Sequence, residues 1–565
     1  MSGEAQDSPN AQHLTATIDR RNLLRLAMSG VTGATLVAVL AACGGSSPST
    51  STSTSTSSQP AASASGSPSV GAAASPAASG ATPSAAASTP SNAKVTVAQG
   101  VDIKSFDPHV DTSSAALAIF LNVFDHLVAR DQNLKFIPGL AESWTTLNDT
   151  TWEFKIRQGV KFHDGTSFTA NDMKFTINYV LDPKNNSPQR TRIAGIDHAE
   201  APDDSTLHII TKTPLPALLD ELSENIFALP AAAYQSMGTQ KFALAPIGTG
   251  PYKFVEWVRD SHVTLERFDG YWGTKASIQT AEYRPIAEDA TRVAALQAGE
   301  LTIAALIPPT DIPTLQASSK LDVRTIRSIR TDFVGMNCFK PPFTDVRVRQ
   351  ALNYAVDIPS IIKDILGGHG YQNANVCAAS AFGYDPNLKP YTYDPEKAKS
   401  LLKEAGLANG FSTTLDTPQG RYLDDVEVAQ AIAGQLGAVG IKVEVKPAEF
   451  NEYFNRWLAK KIEGLYFLGF GGATDADGVL GSHFDSKRRG LYYNSPQSDD
   501  LIHQSMAELD TAKRENLYHQ LMGYLHDQAP WIFLYDEEDI YGVVKTLKWQ
   551  PVADERISAF DMSFS

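Results

Sequence analysis

Cysteine is almost absent from this chain, with three residues in 565. A fold stapled together by disulfides is therefore excluded. Long apolar runs are lacking too. The one extended uncharged stretch of apolar character covers residues 26–42, which excludes a multi-span membrane protein. Positive charge is in deficit: 48 Lys and Arg stand against 63 Asp and Glu, a net charge of −15. A nucleic-acid binder needs a basic footprint on phosphate, and charge-driven attachment to anionic lipid needs the same sign. Catalytic signatures are missing from the body as well. It contains no His-Glu-x-x-His helix, no Gly-x-Ser-x-Gly elbow and no Gly-rich phosphate loop. The many carboxylates single out no glycosidase pair. Neither an enzyme nor a cofactor is expected. The twelve histidines are scattered, and His519 with His526 lacks a third ligand nearby, so no metal site is expected.

What is present begins with an address. Arg20-Arg21 precedes Asn22-Leu23-Leu24-Arg25, and an uncharged, mildly hydrophobic stretch then runs from Leu26 to Ala42. A twin arginine before a weak apolar region resembles a Tat export signal. The following Leu40-Ala41-Ala42-Cys43 resembles the lipobox of bacterial lipoproteins, in which the cysteine becomes the diacylglyceryl-bearing mature N-terminus. The bland alternative is an uncleaved signal anchor with Cys43 incidental, and Sec export stays open beside Tat. Residues 44–93 carry no charge and are Ser, Thr, Ala, Gly or Pro except for Gln59, Val70 and Asn92. Such a segment cannot bury enough apolar surface to offset its ordering entropy. With Cys43 it reads as a disordered tether over 43–93, with a random-coil span of roughly 40 Å. Residues 1–42 carry three acidic and three basic residues, so the whole −15 belongs to the body from residue 94 onward.

The length exceeds what one hydrophobic core usually supports, so two or more lobes are expected. Val95 and Val97 alternate with polar residues, as do Trp152, Phe154 and Ile156, and Val263 with Leu265, which predicts strands. Asp394-Pro395-Glu396 starts a helix with an N-cap and a proline at its first position; Ala398, Leu401, Leu402 and Ala405 share a face, and Gly406 ends it. Val426 to Val439 give a second amphipathic helix closed by Gly440, and Ile441, Val443 and Val445 alternate directly after it. Strands interleaved with helices indicate α/β lobes.

Several blocks carry a resemblance. Ala141-Glu142-Ser143-Trp144 leads to Thr151-Trp152-Glu153-Phe154-Lys155-Ile156-Arg157 and Gly159-Val160-Lys161-Phe162-His163-Asp164-Gly165. Phe106-Asp107-Pro108-His109, Phe168-Thr169-Ala170-Asn171-Asp172, Gly248-Thr249-Gly250-Pro251-Tyr252, Tyr271-Trp272-Gly273 and Asp345-Val346-Arg347-Val348-Arg349-Gln350-Ala351-Leu352 follow in order. Together, over about residues 94–550, they resemble the family 5 extracellular solute-binding proteins, receptors that serve ABC importers of peptides, nickel and some sugars. The resemblance implies a two-lobed, periplasmic-binding-protein-like α/β fold with a hinge and an extra subdomain in the first lobe. Lobe I is expected over 94–333 plus 529–565, with the subdomain at about 130–245, and lobe II over 334–528. The hinge strands are expected near Phe333–Asn337 and Ala529–Tyr535. It further implies a small-molecule or short-peptide ligand, ABC permease and ATPase partners, a monomeric body, and a lipid-anchored place on the extracytoplasmic face of the membrane. A peptide is the first reading; an oligosaccharide or another non-peptide solute is the second.

Three stretches resemble the family's cleft loops. In the first, Thr112 and Ser113 offer hydroxyls to a ligand, or cap the helix starting near Ala115. In the second, Arg421 could bind a ligand carboxylate and Tyr422 pack against it, or Arg421 could pair within the fold with Asp424 or Asp425. The third runs from Gly469 to Gly478. Peptide receptors usually place a tryptophan and an amine-binding acid there, whereas this chain has Phe470 and then Gly472-Ala473. Phe470, Thr474 and Asp475 are the candidates it offers, with Asp475 and Asp477 as a structural acidic pair the alternative. Arg347 and Arg349 read as a solvated or salt-bridged helical face, Trp144 and Trp152 as core aromatics. Cys338 and Cys377 either pair or stay as separate buried thiols.

Overall fold

A computed structural model describes residues 92–490 and 492–565. Arg20, Arg21, Cys43 and all but the last two residues of the tether lie outside the described residues.

The alternation at Val95 and Val97 becomes the strand Lys94–Gln99, which is buried on both faces. It sits in parallel register between Thr280–Pro285 and Ile303–Ala304. These belong to one large sheet whose centre is a pair of long antiparallel strands, Leu321–Met336 and Trp531–Val544. On one side of that pair lie Ile303–Ala304, Lys94–Gln99, Thr280–Pro285, His262–Arg267 and Tyr252–Val258, the sheet of lobe I. On the other lie Leu465–Phe470, Phe411–Pro418 and Ile441–Ala448, the sheet of lobe II.

The two long strands are the hinge, and their register shows where they cross. Residues 321–327 pair with 538–544. The ladder then breaks, and residues 331–336 lie between 465–470 and the start of the second strand. The crossing therefore falls at Ser328–Arg330, before the expected Phe333–Asn337. On the return strand it falls near Asp536–Glu538, after the expected Ala529–Tyr535. The reason is packing. The rings of Phe333 and Trp531 stack 3.4 Å apart, and Phe333 pairs with Leu468 of the lobe II sheet.

The subdomain is a four-stranded antiparallel sheet, in the order Ala141–Asn148, Thr151–Ile156, Thr206–Thr211 and Ile196–Asp203. The helix Ala170–Leu181 closes one face through Met173 and Ile177, over Phe154 and Leu207. Trp144 and Trp152, read as core aromatics, are half-buried and pack against this core. Gly248 and Gly250 turn the chain beneath the helix Ser114–Val123; a Cβ on Gly248 would meet the Val123 carbonyl oxygen at 1.9 Å.

In lobe II the Asp394 carboxylate accepts the Lys397 N–H at 2.9 Å and starts the helix Pro395–Glu404. The helix Asp425–Ala438 and the strand Ile441–Ala448 follow as their patterns predicted. The pair Arg347 and Arg349 divides. Arg347 is exposed and pairs with Asp345 at 2.6 Å. Arg349 is buried and donates to the carbonyls of Gln528 and Phe343, fastening the helix Val346–Ala355 to its neighbours. Cys338 and Cys377 are separate free thiols, and burial pushes the Cys338 thiol up to about 12.

Candidate functional site

The site is a small, half-open cavity between the lobes. Thr112, Ser113 and Ser114 of lobe I, Arg192 of the subdomain, Arg330 of the hinge, and Arg421, Tyr422, Phe450, Trp457, Phe470, His483 and Arg489 of lobe II all line it. Its volume is about 50 Å³. A second pocket of about 30 Å³ adjoins it, sharing Thr112, Ser113, Ser114, Arg192 and Gly471 and adding Asp111 and Glu224. The lobes are closed on each other around these spaces. Arg488 donates to the carbonyls of Thr191 and Arg192 at 2.9 and 2.8 Å, Arg130 to that of Gly472 at 2.7 Å, and Asn451 to that of Asp102 at 3.2 Å.

Each wall has a local cause. Ser113 is the N-cap of the helix Ser114–Val123, its hydroxyl accepting the Ala116 N–H at 3.3 Å. The same hydroxyl donates to Asp111 at 2.8 Å, so the loop is held rigidly with Thr112 at its rim. Opposite, the Asp425 carboxylate accepts the backbone N–H groups of Gly420, Arg421 and Tyr422, fixing the turn that presents Arg421 and Tyr422. Five of the seven candidate residues, Thr112, Ser113, Arg421, Tyr422 and Phe470, thus meet at one cavity.

The other two do not line it. Asp475 is bound bidentately by Arg514 at 2.6 and 2.9 Å and accepts the Tyr518 hydroxyl at 2.9 Å. It also caps the helix Ala476–His483. Thr474 gives its hydroxyl to Asp220. Asp477 pairs with Arg488 at 2.9 Å. The acidic pair is spent on the fold, because the loop must hold the start of that helix against the subdomain.

Behind the cavity lies a buried charge network. Arg330 pairs with Glu555, donates to the Gly469 carbonyl at 2.9 Å and to the Ser114 hydroxyl at 3.2 Å, and lies 3.7 Å from Glu537. Arg421 reaches the same Glu555 at 3.0 Å. Its carboxylate partner is therefore Glu555 of the C-terminal segment, rather than Asp424 or Asp425. Burial alone would raise the Glu555 carboxyl, but Arg330 and Arg421 outweigh it and hold it below the usual glutamate value. Burial drives Asp332, Asp539 and Glu537 the other way, Glu537 up to about 7. A carboxyl raised in the folded state stabilises fully below its unfolded value, and that contribution is lost as pH rises through the folded one. Glu537→Gln removes this loss. The variant is expected to gain about 1 kcal/mol on the wild type at pH 8 and nothing at pH 4, read from urea unfolding at both pH values.

A larger pocket, about 510 Å³, is lined by Leu121, Phe124, Ile137 and Trp272 of the first lobe, by the C-terminal Arg556 and Phe560, by Gly472 of lobe II, and by Glu224, which also lines the adjoining pocket. Volume alone favours it. The interlobe cavity is preferred because the hinge strands and both lobes converge there. Among the described residues it also carries a buried ring nitrogen without a hydrogen bond, His483 Nε2. Sequence reasoning missed Trp457, His483, Arg489 and Arg192. The adjacent Arg488-Arg489 was a visible signal, but nothing in it separates the structural arginine from the one facing the cavity.

Residues 135–490 match the middle region of the bacterial extracellular solute-binding proteins, family 5. The glutathione-binding protein GsiB of Pectobacterium atrosepticum is 31% identical over 483 residues, 82% of this chain and 93% of that protein. The chain belongs to family 5 of the extracellular solute-binding proteins. Among solved structures it is similar to the periplasmic binding protein DppA of Helicobacter pylori in complex with the peptide STSA, with a TM-score of 0.79 and 27% identity, covering 84% of this chain and 98% of that one. It is likewise similar to AgaA of A. tumefaciens R10 in complex with agropinic acid, with a TM-score of 0.77 and 26% identity, covering 84% and 99%. Of these, DppA is described as an ABC transporter-associated periplasmic binding protein.

Proposed function

We propose that this protein is the lipid-anchored receptor of an ABC importer, that it binds a short peptide between its lobes, and that it delivers the ligand to a membrane permease by lobe closure. The observation that carries the reading is the interlobe cavity, walled by Thr112 and Ser113 on one side and Arg421, Tyr422 and Phe470 on the other. Ligand sites favour such domain interfaces, where apolar walls surround a few placed polar groups. The relatives support the ligand class, since GsiB is named for glutathione and DppA holds a tetrapeptide. The binding event needs no bond chemistry. Closure buries the ligand, and the closed surface is what a permease reads, while ATP is hydrolysed by a partner subunit.

In this reading Thr112, Ser113, Arg421, Tyr422 and Phe470 contact the ligand, and Thr474 and Asp475 do not. Differential scanning fluorimetry against di- and tripeptides and against oligosaccharides tests it. A ligand at about 100 times its Kd adds about 2.7 kcal/mol to stability. Stabilisation by sugars alone would replace the peptide reading with the other.

The anchor is tested separately. The order of Arg20-Arg21, the apolar stretch and Cys43 motivates the expectation that Cys43→Ala blocks lipidation. The body should then appear in the soluble extracytoplasmic fraction with an unchanged melting curve. A Cys43→Ala protein that stays with the membrane at wild-type gel mobility would contradict lipidation.

A further inference from the structure

We propose that closing the lobes of this receptor takes up one proton at Glu221, so that the cleft holds its solute more tightly as pH falls. The inference rests on the receptor reading for the closing motion and adds a regulation of that motion.

Glu221 lies on the helix Leu218–Asn225 of the subdomain, where that helix meets Asp477, Gly478 and Arg488 of lobe II. It is 6% exposed, and among the described residues neither of its carboxyl oxygens has a hydrogen-bond partner. The acidic groups around it each have a guanidinium of their own. On the subdomain side Asp220 is paired with Arg130 at 2.7 Å and Glu224 with Arg192 at 3.0 Å. On the lobe II side Asp477 is paired with Arg488 at 2.9 Å and Asp475 with Arg514 at 2.6 Å. Arg488 lies 3.8 Å from Glu221 Oε1, but its N–H groups already go to both oxygens of Asp477 and to the carbonyls of Thr191 and Arg192. The pocket among these side chains measures about 10 Å³, room for no more than a water. Among the described residues no three His, Cys, Asp or Glu side chains are grouped to hold a metal ion. A proton is what can neutralise the carboxyl in the closed interface.

A carboxylate buried without donors is costly, and such a group neutralises instead. Burial raises the Glu221 carboxyl well above its usual value; Arg488 offsets part of this, and Asp477, Asp220 and Asp475 add to it. Asp477, Asp475 and Arg488 belong to lobe II and withdraw with it when the cleft opens. Water then reaches Glu221, which returns toward the ordinary glutamate value of about 4.3. The closed form has the higher value, so it binds the extra proton and is favoured as pH falls. Between the open and closed values, each pH unit changes the closing equilibrium by up to about ten-fold, and ligand affinity changes with it. Above the closed value the advantage is gone.

The test is calorimetric titration of wild type and Glu221→Gln with a pool of di- and tripeptides at about pH 5 and pH 8, repeated at about pH 6 in two buffers of different ionisation enthalpy. The uncharged amide stands in for the protonated carboxyl, and comparing the two proteins cancels the titration of the peptides themselves. Glu221→Gln is expected to bind more tightly than wild type at the higher pH, with that advantage at least about ten-fold smaller at the lower one. On binding, wild type should take up more protons than the variant, by up to about one per molecule. An equal advantage at both pH values, a variant weaker than wild type at both, or equal proton uptake would overturn the coupling and leave the peptide reading standing. If the variant does not fold, wild type decides: binding without proton uptake overturns the coupling. If no peptide binds either protein, the peptide reading falls and the closing equilibrium is read without ligand by small-angle scattering. A wild type more compact at the lower pH, beside a variant equally compact at both, upholds the coupling; any other pattern overturns it.

Discussion

Arg330→Ala is expected to unfold the body at a markedly lower denaturant concentration, with a loss of about 3–5 kcal/mol. Arg330 is 2% exposed and stands where the first hinge strand crosses between the lobes. Removing it leaves Glu555 with Arg421 alone and leaves Glu537 and Asp332 buried without their nearest cation. It also deprives the Gly469 carbonyl and the Ser114 hydroxyl of a donor. Breaking a buried pair from one side leaves an uncompensated charge, which costs more than the pair itself contributed. The variant should regain part of the loss as pH falls, because the stranded carboxyls then protonate. Urea unfolding at pH 7.5 and pH 5 reads both effects. A change under 1 kcal/mol would mean that the network contributes little to the fold.

Gly100→Ala is expected to weaken ligand binding by about ten- to a hundred-fold while moving the ligand-free melting temperature little. Gly100 ends the first strand of lobe I, and a Cβ there would stand 1.6 Å from the Gly420 carbonyl oxygen of lobe II. No side-chain rotation relieves an overlap with backbone. Gly420 itself has φ +75° and packs against the Ala287 backbone, so neither chain segment can yield. The lobes must stop short of full closure, and apparent affinity falls by the fraction of molecules still able to close. Small-angle scattering with and without peptide should show contraction for the wild type and a smaller contraction for the variant.

Much of the fold was legible because it is written in local patterns. The alternation at Val95 and Val97 and the Asp394-Pro395 start gave a strand and a helix at the observed places. So did the Val426 to Val439 face, followed by Ile441. The hinge was not legible from local pattern, because it is made by the pairing of residues 321–336 with 531–544, segments far apart in the chain. The site was legible where a resemblance pointed to loops: Ser113, Arg421 and Phe470 do meet at the cavity. It was not legible where long-range pairing decides the role. Glu555 claims Arg421 and Arg514 claims Asp475 across separations that no spacing rule encodes.

The central claim is that a small solute is enclosed between the lobes and held by their closure. Native mass spectrometry of the gently purified wild type beside Gly100→Ala tests it most directly. The account predicts a wild-type mass above that of the bare chain by one small solute, and a Gly100→Ala mass largely without it. Equal retention of the same solute by both proteins would contradict it, and would move the ligand out of the interlobe cavity.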